Sequence, residues 1–504
     1  MPILNSIASW WMRKRMHQIE LFMKYPDDVQ NESLRKLISL AKDTEWGKLH
    51  DYKNINNHEQ FKNNVPIQDY ETLKPFIDRG RRGEQNILWH SEIKLFAKSS
   101  GTTNDKSKYI PVSIESLDEC HYNGGRDMLA IYCSLYPETQ LFTGKNLGLG
   151  GSLATDSFGD YESQNGDLSA IMINNLPLWA EFFRSPDLSI ALMDKWDEKL
   201  EKLSLATINE NVVSLAGVPS WMLLIMKRIL EVTSKKSIVE IWPNLEVYFH
   251  GGVNFSPYSE QFKVLFNKPG MNYLELYNAS EGFFGIQDQS DSAELLLMLD
   301  YGIYYEFMPI NELGAINQKT LSLAEVRLDT TYGLMISTNA GLWRYMLGDT
   351  IKFTSLNPYR FKITGRTKHF MNAFGEEIII DNADKALSIA CEKSGAQIKE
   401  YTAAPIYMQG NENGSHEWLI EFEKQPSTLE YFSEMLDNAL KSINSDYEAK
   451  RYQNLILKQP IVKSLPEGTF YRWFESKNKL GGQHKVPRLS NERKYVEEIY
   501  AIIK

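Results

Sequence analysis

Only three cysteines, Cys120, Cys133 and Cys391, occur among the 504 residues. Their odd number and wide spacing, with no CxxC pair, exclude a disulfide framework and a cysteine zinc site; free thiols in a reducing compartment are expected. Glycine, at 31, and proline, at 19, are too sparse for a collagenous or low-complexity chain. No run of 18 apolar residues is present, so no spanning helix is expected. A basic excess is missing too: 55 Lys and Arg face 65 Asp and Glu, for a net charge of −10. Nucleic-acid affinity rests on clustered cations, so no nucleic-acid partner is expected. The opening MPILNSIASWWMRKRM sets its basic residues after the apolar ones, the reverse of a secretory signal. Trp10, Trp11, Arg13, Lys14 and Arg15 would suit a membrane surface, but an amphipathic helix folded onto the body is the simpler reading. The expectation is a cytoplasmic protein without a membrane partner.

What is present describes a globular chain. Hydrophobic residues make up 42% and charged residues 24%, and the length suggests two to four domains at about 150 residues each. Leu34, Leu37, Ile38 and Ala41 place one apolar face on a helix over 31–42, and Met193, Trp196, Leu200 and Leu203 do so in a second. SWMLLIMKRILEV opens a third after Pro219. Between such helices lie apolar runs ending in turn residues: LFAKSSG, NLGLGGS, LEVYFHGG, YLELYNASEG and LMISTNAGLWRYMLGD. Strand-then-glycine units interleaved with helices argue for an α/β core with ligands at the carboxyl ends of strands. The tail reads as a self-contained α+β module of about 135 residues. It would hold a helix over 381–394 and strands YTAAPIYM and EWLIEFEK, with Trp418, Ile420 and Phe422 on one face. Ser427 and Glu430 would cap a further helix, TFYRWF would be a strand, and a final helix would follow the loop GGQHKVPR. The join at 365–368 could act as a hinge.

Chemistry concentrates in short segments. Ser99-Ser100-Gly101-Thr102-Thr103-Asn104-Asp105-Lys106-Ser107-Lys108 follows the apolar KLFA. Backbone N–H groups, hydroxyls and lysines together suit a polyphosphate. A P-loop needs Gly before its Lys-Ser, and Asp105 stands there, so a P-loop is disfavoured; a solvated polar loop is the alternative. His250-Gly251-Gly252 would let the backbone approach a planar group. Tyr277-Asn278-Ala279-Ser280-Glu281-Gly282 offers an aromatic face, a hydroxyl and a carboxylate at a strand end. Asp349, closing Trp343–Asp349, suits ribose hydroxyls. Gly365-Arg366 and Gln483–Arg488 complete the series. Singly, each also reads as a turn or a helix cap.

The order of these segments resembles the adenylate-forming superfamily and, more closely, the GH-three family of auxin-responsive-promoter proteins, the acyl-acid amido synthetases. The resemblance runs over nearly the whole chain through LAKDTEWGKLHDY, VPIQDYETLKPFI, FAKSSGTTNDKSKYIPVS, GVPSWM, YNASEGFFGIQ, RYMLGDTIKF, GRTKHFMNAFGEE and QHKVPR. Many members carry glycine where Asp105 stands, and the sequence reads like the bacterial branch, so hormone substrates are not assumed. The resemblance implies a large α/β domain of the firefly-luciferase-like, adenylate-forming type over 1–365 and a small mobile α+β lid over 366–504. It implies ATP and Mg²⁺, with a carboxylic acid and an amino acid as substrates. By match, Ser99, Ser100, Gly101, Thr102, Thr103 and Lys108 would form the phosphate loop. Gly251 and Gly252 would border the purine with Tyr277 stacked on it, and Ser280 would join the nucleotide site. Glu281 would hold Mg²⁺, Asp349 the ribose, and Arg366 ribose or phosphate. Lys485 would reach the α-phosphate and the substrate carboxylate. Gly151, Val218 and Trp221 would wall the acyl pocket, with ordinary core packing as their alternative. His121, His250 and His484 have no visible partner. An acyl-CoA ligase, or a nucleotide- or acyl-binding protein without turnover, would share the same nucleotide motifs.

Overall fold

Three of the glycine-terminated apolar runs end in one line, joined there by Val212–Gly217, which was not among them. In the computed structural model, which describes residues 2–503 apart from 101–106, 254, 256–257, 291, 314–317, 367–369, 409–411, 455 and 478–485, the strands Lys145–Gly148, Val212–Gly217, Val247–Gly251 and Asn272–Ala279 lie side by side and parallel. Arg184–Ser185 extends their outer edge in the same sense. Parallel neighbours need crossovers, and helices such as Trp196–Thr207 and Pro219–Thr233 supply them. Beyond Ala279 the chain reverses through the two residues Ser280 and Glu281 into Gly282–Ile286. From there the sheet is antiparallel, through Leu295–Leu297, Tyr359–Arg366, Tyr345–Leu356 and Thr331–Thr338 to Ile303–Pro309. The result is one eleven-stranded mixed sheet. LFAKSSG stands outside it: Leu95–Ser100 pairs with Ser107–Val112 and Tyr161–Gly166 in a separate four-stranded sheet.

The helical periodicities hold at 31–42 and, in part, for the second helix, which runs Trp196–Thr207 and leaves Met193 outside it. Pro26–Ala41 starts on a proline, carries Asp27 and Asp28 in its first turn, and buries Leu34, Leu37, Ile38 and Ala41. In the tail, Ser415–Lys424 is the middle of a three-stranded sheet with Gln397–Ile406 and Ile461–Leu465. Trp418, Ile420 and Phe422 do share one core, and Leu419 faces another. Two local expectations fail there. TFYRWF lies in the helix Thr469–Ser476, because Phe470 and Trp473, three apart, meet the third apolar cluster on one face. The cap of Leu429–Ile443 is Thr428, whose hydroxyl accepts the Tyr431 N–H, rather than Ser427. The tail packs on the large sheet: Met371, Ala373 and Phe374 share a continuous apolar cluster with Met222, Met226, Tyr258 and Phe262. The Tyr258 hydroxyl donates to the Ala373 carbonyl at 2.8 Å.

The antiparallel half is tied to the N-terminal helices by a buried ion pair. Arg344, at a left-handed φ of 44°, donates to both oxygens of Glu306 and to the carbonyls of Lys62 and Val65. Glu306 also meets His58 and Thr320. Burial pushes the Glu306 carboxyl up, but His58 and Arg344 outweigh it and leave it below the ordinary range. Removing one partner of such a pair strands the other charge. Arg344→Met is therefore expected to cost about 3–5 kcal/mol in urea unfolding, and adding Glu306→Gln to recover part of that loss.

Candidate active site

The carboxyl edge of the parallel strands gathers seven of the seventeen site residues singled out by sequence. Gly151 follows Lys145–Gly148, Val218 and Trp221 follow Val212–Gly217, Gly251 and Gly252 end Val247–Gly251, and Ser280 and Glu281 form the turn after Asn272–Ala279. This is where open α/β sheets bind ligands. Two of these glycines are required by close approach. A Cβ on Gly251 would lie 2.4 Å from the Leu276 carbonyl oxygen, and one on Gly151 would overlap the Asp167 carboxylate. A Cβ on Gly252 would stand 3.3 Å from Val218, so the segments assigned to purine and acyl group are neighbours.

On the antiparallel side, Asp349 lies directly opposite Arg366 in the ladder. The Tyr277 hydroxyl donates to Asp349 at 2.6 Å. The Tyr277 ring packs against Phe284 and Phe361, with centroids 5.0 and 6.0 Å away. Tyr277 thus orients the carboxylate assigned to ribose, and its ring is buried among aromatics rather than presented as an open stacking face. Ser99 and Lys108 face each other near the end of the hairpin formed by Leu95–Ser100 and Ser107–Val112. Gly101, Thr102 and Thr103 at its tip lie outside the described residues, as do His484 and Lys485, and so do the side chains of Ser100 and Arg366. The Lys108 ammonium stands 5.9 Å from the Tyr70 ring centroid, and the Tyr70 hydroxyl accepts the next N–H, that of Tyr109.

Charge links these groups. Burial lifts the Glu281 carboxyl above its usual range, Lys108 opposes the rise, and Glu377 and Asp349 add to it. A strand-end turn carboxylate that is costly to ionise, with two further carboxylates acting on it, fits a divalent cation. Among the described residues no three acidic, histidine or cysteine groups could hold a metal by themselves. Mg²⁺ suits such an open place, since it normally keeps water and phosphate oxygens as ligands. His250 and His121 are buried and neutral: burial lowers His250 to about 3 and His121 to about 4. His250 stacks on Phe255 at 4.0 Å, a packing role.

Four further side chains shape the edge. Asp167 accepts the Ser152 N–H at 3.0 Å, and Lys199 donates to the carbonyls of Gly150 and Gly151, so both fix the Gly150–Ser152 loop. Burial lowers Lys199 to about 8. Lys450 places its ammonium 4.0 Å from the Trp221 ring centroid, and Glu377 adopts a left-handed φ of 39°. The paired glycines at 150–151 were a visible sign of a tightly held loop; nothing in SDYEAKR marked Lys450.

Three consecutive family patterns cover this chain: the GH3 family N-terminal domain over residues 15–271, the central domain over 296–366 and the C-terminal domain over 381–494. The chain belongs to the GH3 family. It is 24% identical to the indole-3-acetic acid-amido synthetase GH3.3 of Arabidopsis thaliana, over 94% of this chain and 91% of that protein. Its fold is shared with the GH3.15 acyl acid amido synthetase, at a TM-score of 0.62 and 17% identity over 97% of this chain and 96% of the other. It is also shared with a 2-hydroxyisobutyryl-CoA ligase solved with 2-HIB-AMP and CoA, at a TM-score of 0.56 and 13% identity, covering 95% and 92% of the two chains. The adenylate-forming architecture expected from the sequence is therefore the one observed.

The electrostatics of this GH3 protein give a signed test. Because folding raises the Glu281 pKa, its penalty is absent below the ordinary glutamate value of 4.5 and grows as pH rises through the raised folded value. Glu281→Gln is expected to raise the melting temperature by about 1–3 °C near pH 7.5 and by nothing near pH 4, read by thermal denaturation across pH.

Proposed function

We propose that this GH3 protein is an ATP- and Mg²⁺-dependent acyl-acid amido synthetase that joins a small carboxylic acid to an amino acid through an acyl-adenylate. One observation supports the reading above the others. Lys108 from the hydroxyl-rich hairpin and Asp349 both act on Glu281, which forms the turn at the carboxyl edge of the parallel strands. In this assignment residues 1–365 bind ATP and the acyl group, and residues 366–504 form the lid that carries Lys485.

The chemistry explains the residue types. A carboxylate oxygen attacks the α-phosphorus of ATP; the new P–O bond gives acyl-AMP, and pyrophosphate leaves with the electrons of the broken bond. An anion is meeting an anion, so catalysis consists mainly of positioning and of cancelling charge. Mg²⁺ held at Glu281 would neutralise phosphate charge. Lys108 supplies a cation beside the hairpin and Lys485 the cation assigned to the lid, the hairpin hydroxyls and N–H groups hold phosphate oxygens, and Asp349, oriented by Tyr277, binds ribose hydroxyls. In the second half-reaction the amine nitrogen forms a bond to the acyl carbon, the C–O bond to AMP breaks, and the nitrogen gives up its surplus protons. A lid that excludes water preserves the hydrolysable anhydride in between.

The test is incubation with ATP, Mg²⁺ and pooled carboxylic acids, with amino acids, coenzyme A or neither added, read by mass spectrometry. An amide formed only with amino acids is expected; a thioester formed only with coenzyme A would make the protein an acyl-CoA ligase. ATP binding without AMP formation in any tube would make it a binding protein. Lys108→Ala is expected to lower acid-dependent AMP formation about 10²-fold. Unchanged adenylation in Lys485→Ala would remove that lysine from the mechanism.

A further inference from the structure

Lys450 is a buried cation at the active edge that the nucleotide chemistry does not use. It projects from the helix Ser445–Arg451 of the C-terminal region, is 6% exposed, and rests on the Trp221 ring. Gly375 gives it room: a Cβ there would come within 3.1 Å of the Lys450 side chain. Among the described residues, no hydrogen bond or ion pair engages its ammonium. Burial of the side chain disfavours its charged form, a cost that an arriving anion would offset.

The carboxylates that act on Lys450 through space are Asp446, Glu376, Asp167 and Glu377. Glu376 is engaged by His416 at 2.9 Å and by the N–H groups of Ala373 and Phe374. Asp167 holds the Ser152 N–H. Glu377 acts on Glu281 as well as on Lys450. One side chain ties its backbone to the helix that carries Lys450. Asn444 donates to the Glu377 carbonyl at 3.1 Å, and its oxygen accepts the Tyr447 N–H at 2.8 Å, capping the helix that carries Lys450. The Glu377 N–H is drawn to Asn372, and the residue is held at a positive φ that a side chain adopts only under constraint.

A carboxylate and an ammonium on tied segments carry the two charges complementary to a zwitterion. Two substrate carboxylates enter the proposed reaction. The acyl acid's carboxylate must reach the α-phosphorus and becomes part of the anhydride. The acceptor's α-carboxylate is never consumed and needs a cation away from the phosphates. Resting on the amido-synthetase reading, we propose that Lys450 binds the α-carboxylate of the acceptor amino acid over the face of Trp221, with the acceptor nitrogen on the Glu377 side. Lys450 is then a specificity residue for the second half-reaction and is dispensable for the first.

The test compares paired pools of amino acids and their carboxamides, which lack the anionic carboxylate, as acceptors for wild type, Lys450→Met and Lys450→Arg. Amide products are read by mass spectrometry and adenylation separately by acid-dependent ATP–pyrophosphate exchange. Wild type is expected to favour amino acids over carboxamides by at least about tenfold. Lys450→Met is expected to show no such preference while keeping exchange within about twofold, and Lys450→Arg to recover part of the preference. Equal use of both pools by wild type, a measurement needing no variant, overturns the inference. So does a wild-type preference retained in Lys450→Met. Exchange without amide from any amino acid overturns the amido-synthetase reading and this inference with it, whereas absence of exchange overturns adenylation itself.

Discussion

The close approach of Gly251 to the strand beside it sets the geometry of the whole carboxyl edge. With no side chain at 251, Val247–Gly251 pairs with Asn272–Ala279 up to Gly251 opposite Leu276, and the backbone there leaves no space for a Cβ. That register decides which residues remain inside the sheet and which lie beyond it. Tyr277 is kept inside, its hydroxyl on Asp349, whereas Ser280 and Glu281 fall in the turn. A slip of one residue would exchange the two faces, turning Tyr277 away from Asp349. The parallel half thus delivers glycines, hydrophobic walls and, in its last turn, Glu281, and the antiparallel half delivers Asp349.

Buried charge is treated in two ways within this molecule, and the contrast separates structure from function. Arg344 and Glu306 are surrounded by partners: every direction of the guanidinium is used, and Glu306 is held below its ordinary range. Such a pair fixes the N-terminal helices on the sheet and has nothing left to offer a ligand. Glu281 is the reverse, a carboxyl made harder to ionise by burial and by its acidic neighbours, with Lys108 offsetting only part of the cost. Charges left under-compensated in a folded protein mark places where a ligand completes the balance. Lys450 on Trp221 belongs to the same class.

The strand ends were legible in the sequence because their chemistry is local. A run of apolar residues followed by glycine, hydroxyl and acid identifies both the strand and its useful end, which is why Gly251, Glu281 and Asp349 could be named before any geometry was known. The helices at Pro26–Ala41 and Pro219–Thr233 were legible through periodicity alone. What escaped depends on distant segments. TFYRWF has the composition of a strand and becomes helical because Phe470 and Trp473 find a shared apolar cluster. Tyr277 reads as a free aromatic face until Phe284 and Phe361 are brought around it. Asp167 and Lys450 carry no motif, and Glu377 closes GRTKHFMNAFGEE without a role that the string itself reveals; their meaning comes from what lies across the edge from them.

The C-terminal region is held to the large sheet by contacts of unequal kind. Most of the shared surface is apolar, Met371 and Phe374 meeting the cluster of Met222, Tyr258 and Phe262. Apolar contact is non-directional, so one packed arrangement can be exchanged for another at small cost. Among the described residues the polar ties include Tyr258 to the Ala373 carbonyl, Gln261 to the Met408 carbonyl, and Lys450 over Trp221. Each neutral hydrogen bond of this kind contributes only about 1 kcal/mol net. The proposed lid, serving two half-reactions in turn, would require that balance, enough buried surface to close the site and too few directional bonds to lock it. Lys450 then has a second consequence. Because it belongs to the C-terminal region while Trp221 follows a strand of the large sheet, the proposed acceptor pocket would exist only while the two are docked, and that docking would also present the acyl carbon in a site shielded from water.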